Sequence, residues 1–408
     1  MRILHVNNTD LPGARFNGYS MLNKQRETGV DAFQIVRDKV SHNDKVVSFE
    51  LDRELYNSIF LFEKHLSIKN MCFPYGKILA ETKTFKDADV VHYHLIHNDL
   101  ISIFDLKHLF SLKPSVWTIH DPWVLTGHCI YPINCKKYLS GCYNCPDLGR
   151  NFAIQENNAP ILWKIKDKVF RELRKPKIIV STQWMRQLIE ESPFGKYFQN
   201  LEVIPFGVNG DIFKKITVSE KKALRRKLSL KDQFTIFFRQ DASYYKGLDF
   251  INEALSRLKT KIKANILTVG TKGLLKQEIY ENYEVREYDW IHDESFLANL
   301  YQVSDIFLMP SRAETFGLMA IESMLSGAPV ICKTGTALPE VTNGDVSELV
   351  FETQEEFAAL ILDCYTNHSR LEKLSYDLFL WSKGRYIEKL YHDRLVRVYL
   401  DEFERFHS

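Results

Sequence analysis

Residues 305–333 have the sequence DIFLMPSRAETFGLMAIESMLSGAPVICK, and their pattern decides the fold class. Two short apolar runs, DIFLM and PVICK, flank a segment whose apolar residues recur at helical spacing. We expect a helix over residues 317–326, with Thr315 as its N-cap and Gly327 at its C-terminal end. Pro329 then begins the exit into the next strand. The stretch therefore predicts a strand–helix–strand unit of a parallel sheet.

The same alternation of apolar runs and helix-length segments fills most of the chain. The runs that we interpret as buried strands are RILHVN, DVVHYHL, PSVWTIH and PKIIVST in the first half, and FTIFFRQ, ANILTVG and ELVFE in the second. A length of 408 residues exceeds what one hydrophobic core usually supports. We therefore predict an α/β protein with two facing, doubly wound, Rossmann-like domains, residues 1–209 and 210–384, and a C-terminal helix, 385–408, that returns to the first domain.

Composition and charge exclude several classes of protein. The net charge is +2, from 54 Lys and Arg against 52 Asp and Glu, so bulk electrostatics give no reason to expect a nucleic-acid partner. The N-terminal apolar run is too short for a signal peptide, and no stretch approaches the length of a spanning helix. Seven cysteines, an odd number, fit a reducing compartment. We expect a cytoplasmic protein.

Two carboxylates, Glu314 and Glu322, bracket the start of the predicted helix. Eight residues at about 1.5 Å rise separate their backbones by roughly 12 Å, whereas glycoside hydrolases hold their carboxyl groups about 5 to 9.5 Å apart. The pair fits an elongated ligand with hydroxyl groups at both ends better than a hydrolytic dyad. Free N–H groups at the helix start suit a diphosphate, and Gly317 allows close backbone approach. A nucleotide sugar has this layout, although an ordinary helix with solvated glutamates gives the same spacing.

The segment PSRAETFGLMAIESMLSGAPVI, residues 310–331, closely resembles the motif of the retaining glycosyltransferases of family four, which have the two-domain GT-B architecture. The resemblance extends from ILHVN near the start of the chain to ALPEVTNGD after the motif. It implies that Glu314 binds the donor hexose and that Glu322 binds the ribose. The backbone and side chains between them would contact the sugar and phosphates; these donor-binding residues are Phe316, Gly317 and Leu318.

The resemblance also implies catalytic and donor-binding roles for residues outside this motif. FRQDASYYKGLDF resembles the family's basic diphosphate clamp, with Arg239 and Lys246 as its charges. WTIHDPW places His120 at a strand end, where a family histidine contacts the donor sugar, and Asp121 would orient it. TDLPGARF resembles the glycine-bearing loop beneath the diphosphate, with Gly13 at the point of closest approach.

Four cysteines lie within 17 residues in HCIYPINCKKYLSGCYNCP. Four thiolates can close a tetrahedral structural zinc site, and the final Cys-x-x-Cys has the ligand spacing. This cysteine pattern also resembles that of a subset of surface-polysaccharide transferases. The spacing leaves structural zinc and free thiols as open alternatives for these candidate ligands, which are Cys129, Cys135, Cys142 and Cys145.

Two further segments are candidates for a binding role. Residues 161–177 combine an apolar helical face, which contains Ile161 and Leu162, with seven cations, so they predict either peripheral contact with an anionic membrane or a packed surface helix. The segment HYHLIH contains His92, His94 and His97, which we interpret as strand or acceptor-binding residues rather than as a metal site.

The leading hypothesis is a retaining, metal-independent GT-B hexosyltransferase that needs no cofactor for catalysis. It would move a hexose from a nucleoside diphosphate sugar, of the UDP or GDP type, to a glycan acceptor. The resemblance implies a lipid-linked oligosaccharide of bacterial surface-polysaccharide biosynthesis as that acceptor, at the inner face of the cell membrane. The alternatives are a nucleotide-sugar epimerase of the same architecture and a non-catalytic protein that binds a nucleotide sugar or a glycan.

Overall fold

The structure of the chain is a computed structural model that describes residues 1–49, 52–150 and 152–408. The chain forms two compact units. Unit 1 comprises Met1–Pro205 and Lys389–Ser408, and unit 2 comprises Phe206–Glu388. The first sequence-derived boundary, between residues 209 and 210, lies four residues after the point where unit 1 gives way to unit 2.

Unit 1 contains a parallel sheet of seven strands in the order β3-β2-β1-β4-β5-β6-β7. Its central strands are buried on both faces, which explains their continuous apolar runs. In the register of β1 and β4, His5 lies opposite His92. The strands are β1 (Arg2–Thr9), β2 (Asp31–Asp38), β3 (Val46–Ser48), β4 (Val90–Tyr93), β5 (Ser115–Thr118), β6 (Lys177–Val180) and β7 (Leu201–Val203).

Helices connect these strands and cover the sheet. Side-chain caps begin several of them, for example Asp52, which accepts two backbone N–H groups of the first turn of α2, and Thr182 at α7. The α-helices are α1 (Gln25–Thr28), α2 (Arg53–His65), α3 (Tyr75–Glu81), α4 (Lys83–Lys86), α5 (Leu106–Leu112), α6 (Ala159–Arg171) and α7 (Gln183–Glu191). Short 3-10 helices lie at Tyr19–Met21, Ile103–Asp105, Pro122–Leu125, Lys137–Ser140 and Gly195–Tyr197.

Unit 2 contains a second parallel sheet, of six strands, in the order β10-β9-β8-β11-β12-β13. The strand order reverses beside β8, and in doubly wound sheets ligands bind outside the carboxyl ends of the strands at such a point. The strands are β8 (Phe234–Gln240), β9 (Ala264–Gly270), β10 (Glu284–Tyr288), β11 (Ile306–Met309), β12 (Val330–Lys333) and β13 (Val350–Phe351).

The helices of unit 2 follow the same alternation. Capping boxes begin two of them, α8 through Thr217 and Glu220, and α15 through Thr353 and Glu356. The helices are α8 (Val218–Lys227), α9 (Leu248–Leu258), α10 (Gln277–Asn282), α11 (Glu294–Val303), α12 (Leu318–Leu325), α13 (Leu338–Val341), α14 (Gly344–Ser347), α15 (Gln354–Thr366) and α16 (His368–Lys383). A 3-10 helix lies at Tyr244–Lys246.

The last helix, α17 (Glu388–His407), packs on unit 1. The Tyr399 side chain is fully buried and its hydroxyl lies 2.8 Å from Nδ1 of His92 on β4. The Glu402 carboxylate, also buried, accepts the N–H of Ser115 at the start of β5. The polypeptide therefore leaves unit 1 after Pro205 and re-enters it through this helix.

The helix that decides the fold class begins later than its sequence pattern suggested. Thr315 was predicted as the N-cap of this helix, but α12 begins at Leu318 and Gly317 is the N-cap. Gly317 has φ 101°, a left-handed conformation that glycine adopts at little cost. Glu322 consequently lies one turn inside α12, and Glu314 lies in the loop after β11.

The cationic segment at residues 161–177 contributes α6, whose apolar face is already used. Leu162 and Phe170 are buried in the core of unit 1, while Ile161 is 55% exposed. The buried face therefore belongs to a packed surface helix, which is one of the two alternatives that the sequence left open. None of the helices in the described ranges combines the length and the apolarity that crossing a bilayer requires.

Candidate functional site

The loop between β11 and α12 positions Glu314 at the carboxyl end of a central strand of unit 2. The backbone carbonyl of Glu314 accepts the N–H of Ala337, which ties the loop to the start of α13. A Cβ atom on Gly317 would lie 2.5 Å from Leu338 Cδ2. Positive φ and close packing together require glycine at this position.

An ion pair joins two of the predicted catalytic residues. The Lys246 ammonium donates to the Glu314 carboxylate at 2.9 Å. The two side chains are 27% and 15% exposed, so the pair is partly screened from water but still reachable from solution. A cation and a carboxylate in contact at a strand end can bind a ligand that has both a phosphate and a hydroxyl group.

Arg312 fixes the two loops that hold this pair. Its guanidinium forms two hydrogen bonds with the Asp249 carboxylate, at 2.7 and 2.5 Å, and donates to the carbonyl of Tyr244 at 3.0 Å. Its backbone N–H donates to the carbonyl of Tyr245. The guanidinium also lies over the rings of Tyr244 and Phe250. Arg312, which sequence reasoning missed, therefore positions the Lys246 loop against the Glu314 loop.

Gly247, next to Lys246, shows how closely these loops pack. It has φ 70°, and a Cβ atom there would lie 2.2 Å from the carbonyl oxygen of Pro310. The glycine therefore lets the end of the 3-10 helix Tyr244–Lys246 lie directly on the β11–α12 loop. The signal was visible in the sequence as Lys-Gly before a helix.

Arg239, the other predicted diphosphate ligand, lies at the end of β8 and has different partners. Its guanidinium pairs with the Asp241 carboxylate at 2.5 Å and lies 5.0 Å from the ring centroid of Trp290. Among the described residues, its buried Nε has no hydrogen-bond partner. The structure thus brings Lys246 and Glu314 into contact, while Arg239 is held by a carboxylate of its own loop.

Glu322 is fully buried on α12. The hydroxyl of Tyr301 on α11 donates to its carboxylate at 3.1 Å. Tyr301 is itself buried and packs edge-on against Phe237. This tyrosine, another residue that sequence reasoning did not single out, holds the carboxylate that the resemblance assigns to the ribose.

The remaining predicted donor-binding residues of unit 2 differ in exposure. Phe316 is buried between the rings of Phe206 and Tyr386, with centroid distances of 4.9 and 5.8 Å. Leu318 is half-buried in the first turn of α12. The Phe316 side chain is thus part of the core, so only its backbone is placed to contact a ligand.

In unit 1, Gly13 and His120 are linked through Phe16. Gly13 has φ 79°, and a Cβ atom there would lie 2.5 Å from Phe16 Cζ. The Phe16 ring lies 5.0 Å from the His120 ring. Asn17 holds this loop by donating to the carbonyls of Thr9 and Asp10. The loop after β1 and the end of β5 therefore meet at the carboxyl edge of the sheet.

A chain of histidines extends from His120 into the core of unit 1. His94 Nδ1 lies 3.2 Å from His120 Nε2, and His94 Nε2 lies 3.0 Å from His5 Nδ1. His92 instead contacts the hydroxyls of Tyr399 and Thr118 at 2.8 and 2.7 Å. The sequence placed His92 and His94 on one side of a strand, but their contact with His5 depends on strand order.

Burial keeps this chain neutral. Desolvation lowers the pKa of His120 to about 3, and it lowers the pKa of His5 to about 3 with a smaller contribution from His392. Burial also lowers the pKa of His92 and of His94 well below the ordinary value, with smaller contributions from neighbouring histidines. His120 is therefore a neutral imidazole at neutral pH, suited to hydrogen bonding with a sugar hydroxyl.

Asp121 forms a hydrogen bond with His97, and its charge also acts on His120, the histidine that the sequence suggested. Its carboxylate lies 3.0 Å from His97 Nε2 and accepts the N–H of Trp123, which caps the 3-10 helix Pro122–Leu125. His97 stacks on the Trp123 ring at 4.7 Å. The hydrogen-bonded ring beside His120 belongs to His94.

The structure also locates the groups that could bind a metal. In the described part of the chain, three histidines place ligand atoms within 4.8 Å of one another: His5, His92 and His94. Hydrogen bonds to neighbouring side chains already occupy the nitrogens of His92 and His94. The four clustered cysteines line one small cavity elsewhere in unit 1, together with His128.

Comparison with known proteins assigns part of this chain to a family. Residues 233–367, most of unit 2, match the family described as glycosyl transferases group 1. An uncharacterized 41.2 kDa protein in the cps region of Klebsiella pneumoniae is 30% identical over 145 residues, which are 35% of this chain and 40% of that protein. An alpha-monoglucosyldiacylglycerol synthase of Streptococcus pneumoniae is 25% identical over 209 residues, 48% of this chain and 47% of the synthase. The matched part thus spans less than half of either relative.

Solved structures confirm the predicted fold class. A glycosyltransferase from Rickettsia africae ESF-5 superposes with a TM-score of 0.67 at 18% identity, over 99% of this chain and 98% of that one. Anabaena Alr3699/HepE, solved in complex with UDP, gives a TM-score of 0.65 at 14% identity, over 98% of this chain and 100% of that one. Two Rossmann-like parallel-sheet units arranged in this chain order constitute the GT-B fold.

Proposed function

We propose that this protein is a retaining glycosyltransferase of family four, which transfers a hexose from a nucleoside diphosphate sugar to a glycan acceptor. The observation that carries the proposal is the contact between Lys246 and Glu314 at the carboxyl end of the unit 2 sheet. This pair lies within the segment that matches the group 1 glycosyl transferases. Anabaena HepE, a structural neighbour, was solved with UDP, which supports a nucleotide donor.

The proposed roles follow the chemistry of each group. The diphosphate binds to the ammonium of Lys246 and to the guanidinium of Arg239. Arg239 breaks its ion pair with Asp241 in order to bind the diphosphate. The N–H groups at the start of α12 add positive potential next to the diphosphate. The Glu314 carboxylate accepts hydrogen bonds from hydroxyl groups of the hexose. Glu322, held by Tyr301, binds the ribose, and His120 contacts the sugar.

The proposed reaction assigns no nucleophile to the protein. The bond between the anomeric carbon and the diphosphate oxygen breaks, and its electron pair leaves with the diphosphate. The acceptor hydroxyl oxygen bonds to that carbon on the same face, so the configuration is retained. Its proton passes to the leaving diphosphate oxygen. The cations stabilise the growing negative charge, and the reaction as proposed requires no metal ion.

We also propose a chemical class for the acceptor. A lipid-linked oligosaccharide of surface-polysaccharide assembly is supported by the cps-region relative and by a relative named for a diacylglycerol product. We place the reaction in the cytoplasm at the inner face of the membrane. Because the apolar face of α6 is buried, contact with anionic lipid would use its exposed cations, such as Lys164 and Lys168.

Thermal-shift measurements with a panel of nucleotide sugars test the donor assignment. A donor of the right base and hexose should raise the melting temperature, and Glu322→Ala should abolish that rise. The partly exposed Glu253, which pairs with Arg257 and Lys276 on the surface, provides the matched control Glu253→Ala. Failure of every nucleotide sugar to stabilise the wild type would contradict the donor assignment.

Product analysis then separates the enzyme from its alternatives. Incubation with the stabilising donor alone should give no new sugar nucleotide, whereas an epimerase would produce one. Addition of a lipid-linked glycan extract should release the nucleoside diphosphate and yield a product with retained anomeric configuration, without added divalent metal. Donor binding without turnover on any acceptor would identify a binding protein instead.

A further inference from the structure

The segment that carries the four clustered cysteines has little regular structure of its own. It runs from residue 126, after the 3-10 helix Pro122–Leu125, to residue 158, before α6. In its described part the regular structure is one 3-10 helix, Lys137–Ser140. Long irregular segments in compact units are uncommon unless a function or a cross-link orders them.

The cysteines of this segment converge on one cavity of ≈ 20 Å³, which has room for a single small occupant. All four thiols are free and line it. In the described ranges no three of these sulfurs lie within 4.8 Å of one another, so the thiols surround the cavity in an open arrangement. A shared ligand would have to draw them together.

The backbone directs the last two cysteines toward the same cavity. Gly141, Cys142 and Asn144 have φ of 104°, 57° and 48°, so the chain turns sharply through three left-handed positions at the Cys-x-x-Cys. The N–H of Gly127 donates to Cys142 Sγ at 3.2 Å. This backbone donor favours the thiolate, the form that binds metal, but burial is the larger effect and raises the pKa of the Cys142 thiol to about 11. Metal binding must therefore displace the thiol proton.

A buried cation lies beside the cavity. Lys166 of α6 is 1% exposed, and its ammonium donates to the carbonyls of Trp123 and Thr126 at 2.6 and 2.8 Å. It interacts electrostatically with Cys142, with Cys129 and with the Asp121 carboxylate. A buried ammonium is costly unless negative charge lies nearby. Four thiolates around a divalent cation carry a net charge of −2, which would supply that charge.

We propose that Cys129, Cys135, Cys142 and Cys145 bind one Zn²⁺ ion as four thiolates. Binding forms four zinc–sulfur bonds and releases the four thiol protons, without oxidation or reduction. Four protein ligands complete the tetrahedral coordination, so the ion is structural. The ion orders the segment that follows His120 and Asp121, because Cys129 lies in this segment. Three residues before Cys129, the carbonyl of Thr126 binds Lys166.

His128 is the competing ligand in this cavity. Its Nδ1 lies 3.1 Å from the carbonyl oxygen of Phe152, which can only accept, so the proton is on Nδ1. Its Nε2 lies 3.4 Å from Cys145 Sγ and presents a lone pair to the cavity wall. A set of three cysteines and His128 would also be tetrahedral, and the experiment must distinguish it from four thiolates.

Metal content of the purified full-length chain is the first test. We expect one zinc per chain in the wild type, and loss of that zinc in each single Cys→Ser variant of the four. Cys72→Ser, at an exposed cysteine outside the cluster, is the control and should keep its zinc. Equal zinc in the wild type and all variants, or none in a folded wild type, would overturn the proposal.

Cobalt binding identifies the ligands even where a variant is poorly stable. The chelated chain refilled with Co²⁺ alone should show the charge-transfer absorption of four cobalt–thiolate bonds, and His128→Ala should leave it unchanged. Loss of metal in His128→Ala, with retention in one cysteine variant, would overturn the four-thiolate assignment. Removal of zinc should also lower the melting temperature. None of these measurements depends on sugar transfer, so the zinc site and the proposed function can fail separately.

Discussion

At the scale of single residues, the Lys246–Glu314 contact has a direct consequence for catalysis. The Lys246 ammonium lies against the carboxylate of Glu314, the residue that we propose binds the hexose. Lys246→Met keeps the length of the side chain and removes its charge. Because a preorganised charge that stabilises a leaving group is worth about 10² to 10³ in rate, we expect kcat for transfer to fall by about that factor. Steady-state release of the nucleoside diphosphate measures it.

Lys272→Met is the matched control for this change. Lys272 pairs with Asp289 on the surface of unit 2, where both side chains are well exposed. Surface pairs contribute little to stability, so this variant should keep both its fold and its rate. A normal kcat in Lys246→Met would contradict the assignment of this ammonium to the leaving group.

The histidine chain fixes which nitrogen of His120 carries the proton. His5 Nε2 is buried and has no hydrogen-bond partner in the part of the chain that the structure describes. A buried acceptor without a donor is less costly than a buried N–H without an acceptor. His5 therefore donates through Nδ1 to His94, and His94 donates through Nδ1 to His120 Nε2. His120 thus keeps its own proton on Nδ1.

His94→Phe should disturb this order without touching the donor. We expect kcat to fall by about tenfold to 100-fold, with a smaller change in the donor KM, because His120 loses its fixed tautomer and orientation. Histidine-selective ¹⁵N NMR should show one His120 tautomer in the wild type and a mixture in the variant. His65→Phe, at an exposed position of α2, is the control. An unchanged His120 spectrum in His94→Phe would show that His94 does not fix the tautomer of His120.

At the scale of secondary-structure elements, α6 tests whether its apolar face serves the core or a membrane. Leu162 is 1% exposed and Ile161, its neighbour, is 55% exposed. Leu162→Ala should lower the free energy of unfolding by about 2 to 5 kcal/mol, because it leaves a cavity in the core of unit 1. Ile161→Ala should cost less than about 0.5 kcal/mol. Urea unfolding followed by tryptophan fluorescence measures both.

The contrary result would be informative about the membrane. If Ile161→Ala and Leu162→Ala cost equally little stability but both reduced binding to vesicles of anionic lipid, the apolar face would be a lipid contact. Equal loss of vesicle binding on replacing Lys164 and Lys168 alone would instead indicate an electrostatic contact through the exposed face.

The sequence predicted most of the central strands but missed β2, an interior strand whose residues DAFQIVRD mix polar and apolar side chains. The runs at β1, β4, β5 and β6 are apolar because both faces of those strands are buried, and all were identified. Strands β3, β7 and β10 lie at sheet edges and gave no comparable signal; β10, for example, has the largely polar sequence EVREY. Strand β13 also lies at an edge, and the sequence predicted it from the apolar residues of ELVFE. Periodicity reports burial, so an element with one solvated edge is harder to recognise.

The site residues that the sequence predicted also differ from those that it missed. Local motifs of the sequence identified Lys246 and Glu314 as site residues and Gly317 as a point of close backbone approach, but not the contact between Lys246 and Glu314, which are 68 residues apart. The roles of Arg312, Tyr301 and His94 arise from contacts between elements far apart in the chain, for example the 63 residues between Asp249 and Arg312. Such contacts depend on the order of strands in the sheet, which spacing alone does not encode.

At the scale of the whole molecule, the buried histidines of unit 1 make stability depend on pH. The pKa of His5 is lowered to about 3, chiefly by desolvation, and burial lowers the pKa of His92 and of His94 well below the ordinary value. Unfolded histidines have a pKa of about 6.5. Above that pH both states are neutral, and below it the unfolded chain binds protons that the folded chain excludes. Stability is therefore lost as pH falls below about 6.5.

We expect the free energy of unfolding to be nearly constant from about pH 8 to pH 7 and to fall below about pH 6. Each buried histidine contributes a slope of about 1.4 kcal/mol per pH unit, so His5→Asn should make the fall shallower by about that amount. His65→Asn should leave the slope unchanged. Urea midpoints at several pH values measure it, since four of the six tryptophans, Trp117, Trp123, Trp163 and Trp184, lie in unit 1. A midpoint that stays flat down to about pH 4.5 would show that these imidazoles reach water in the folded protein.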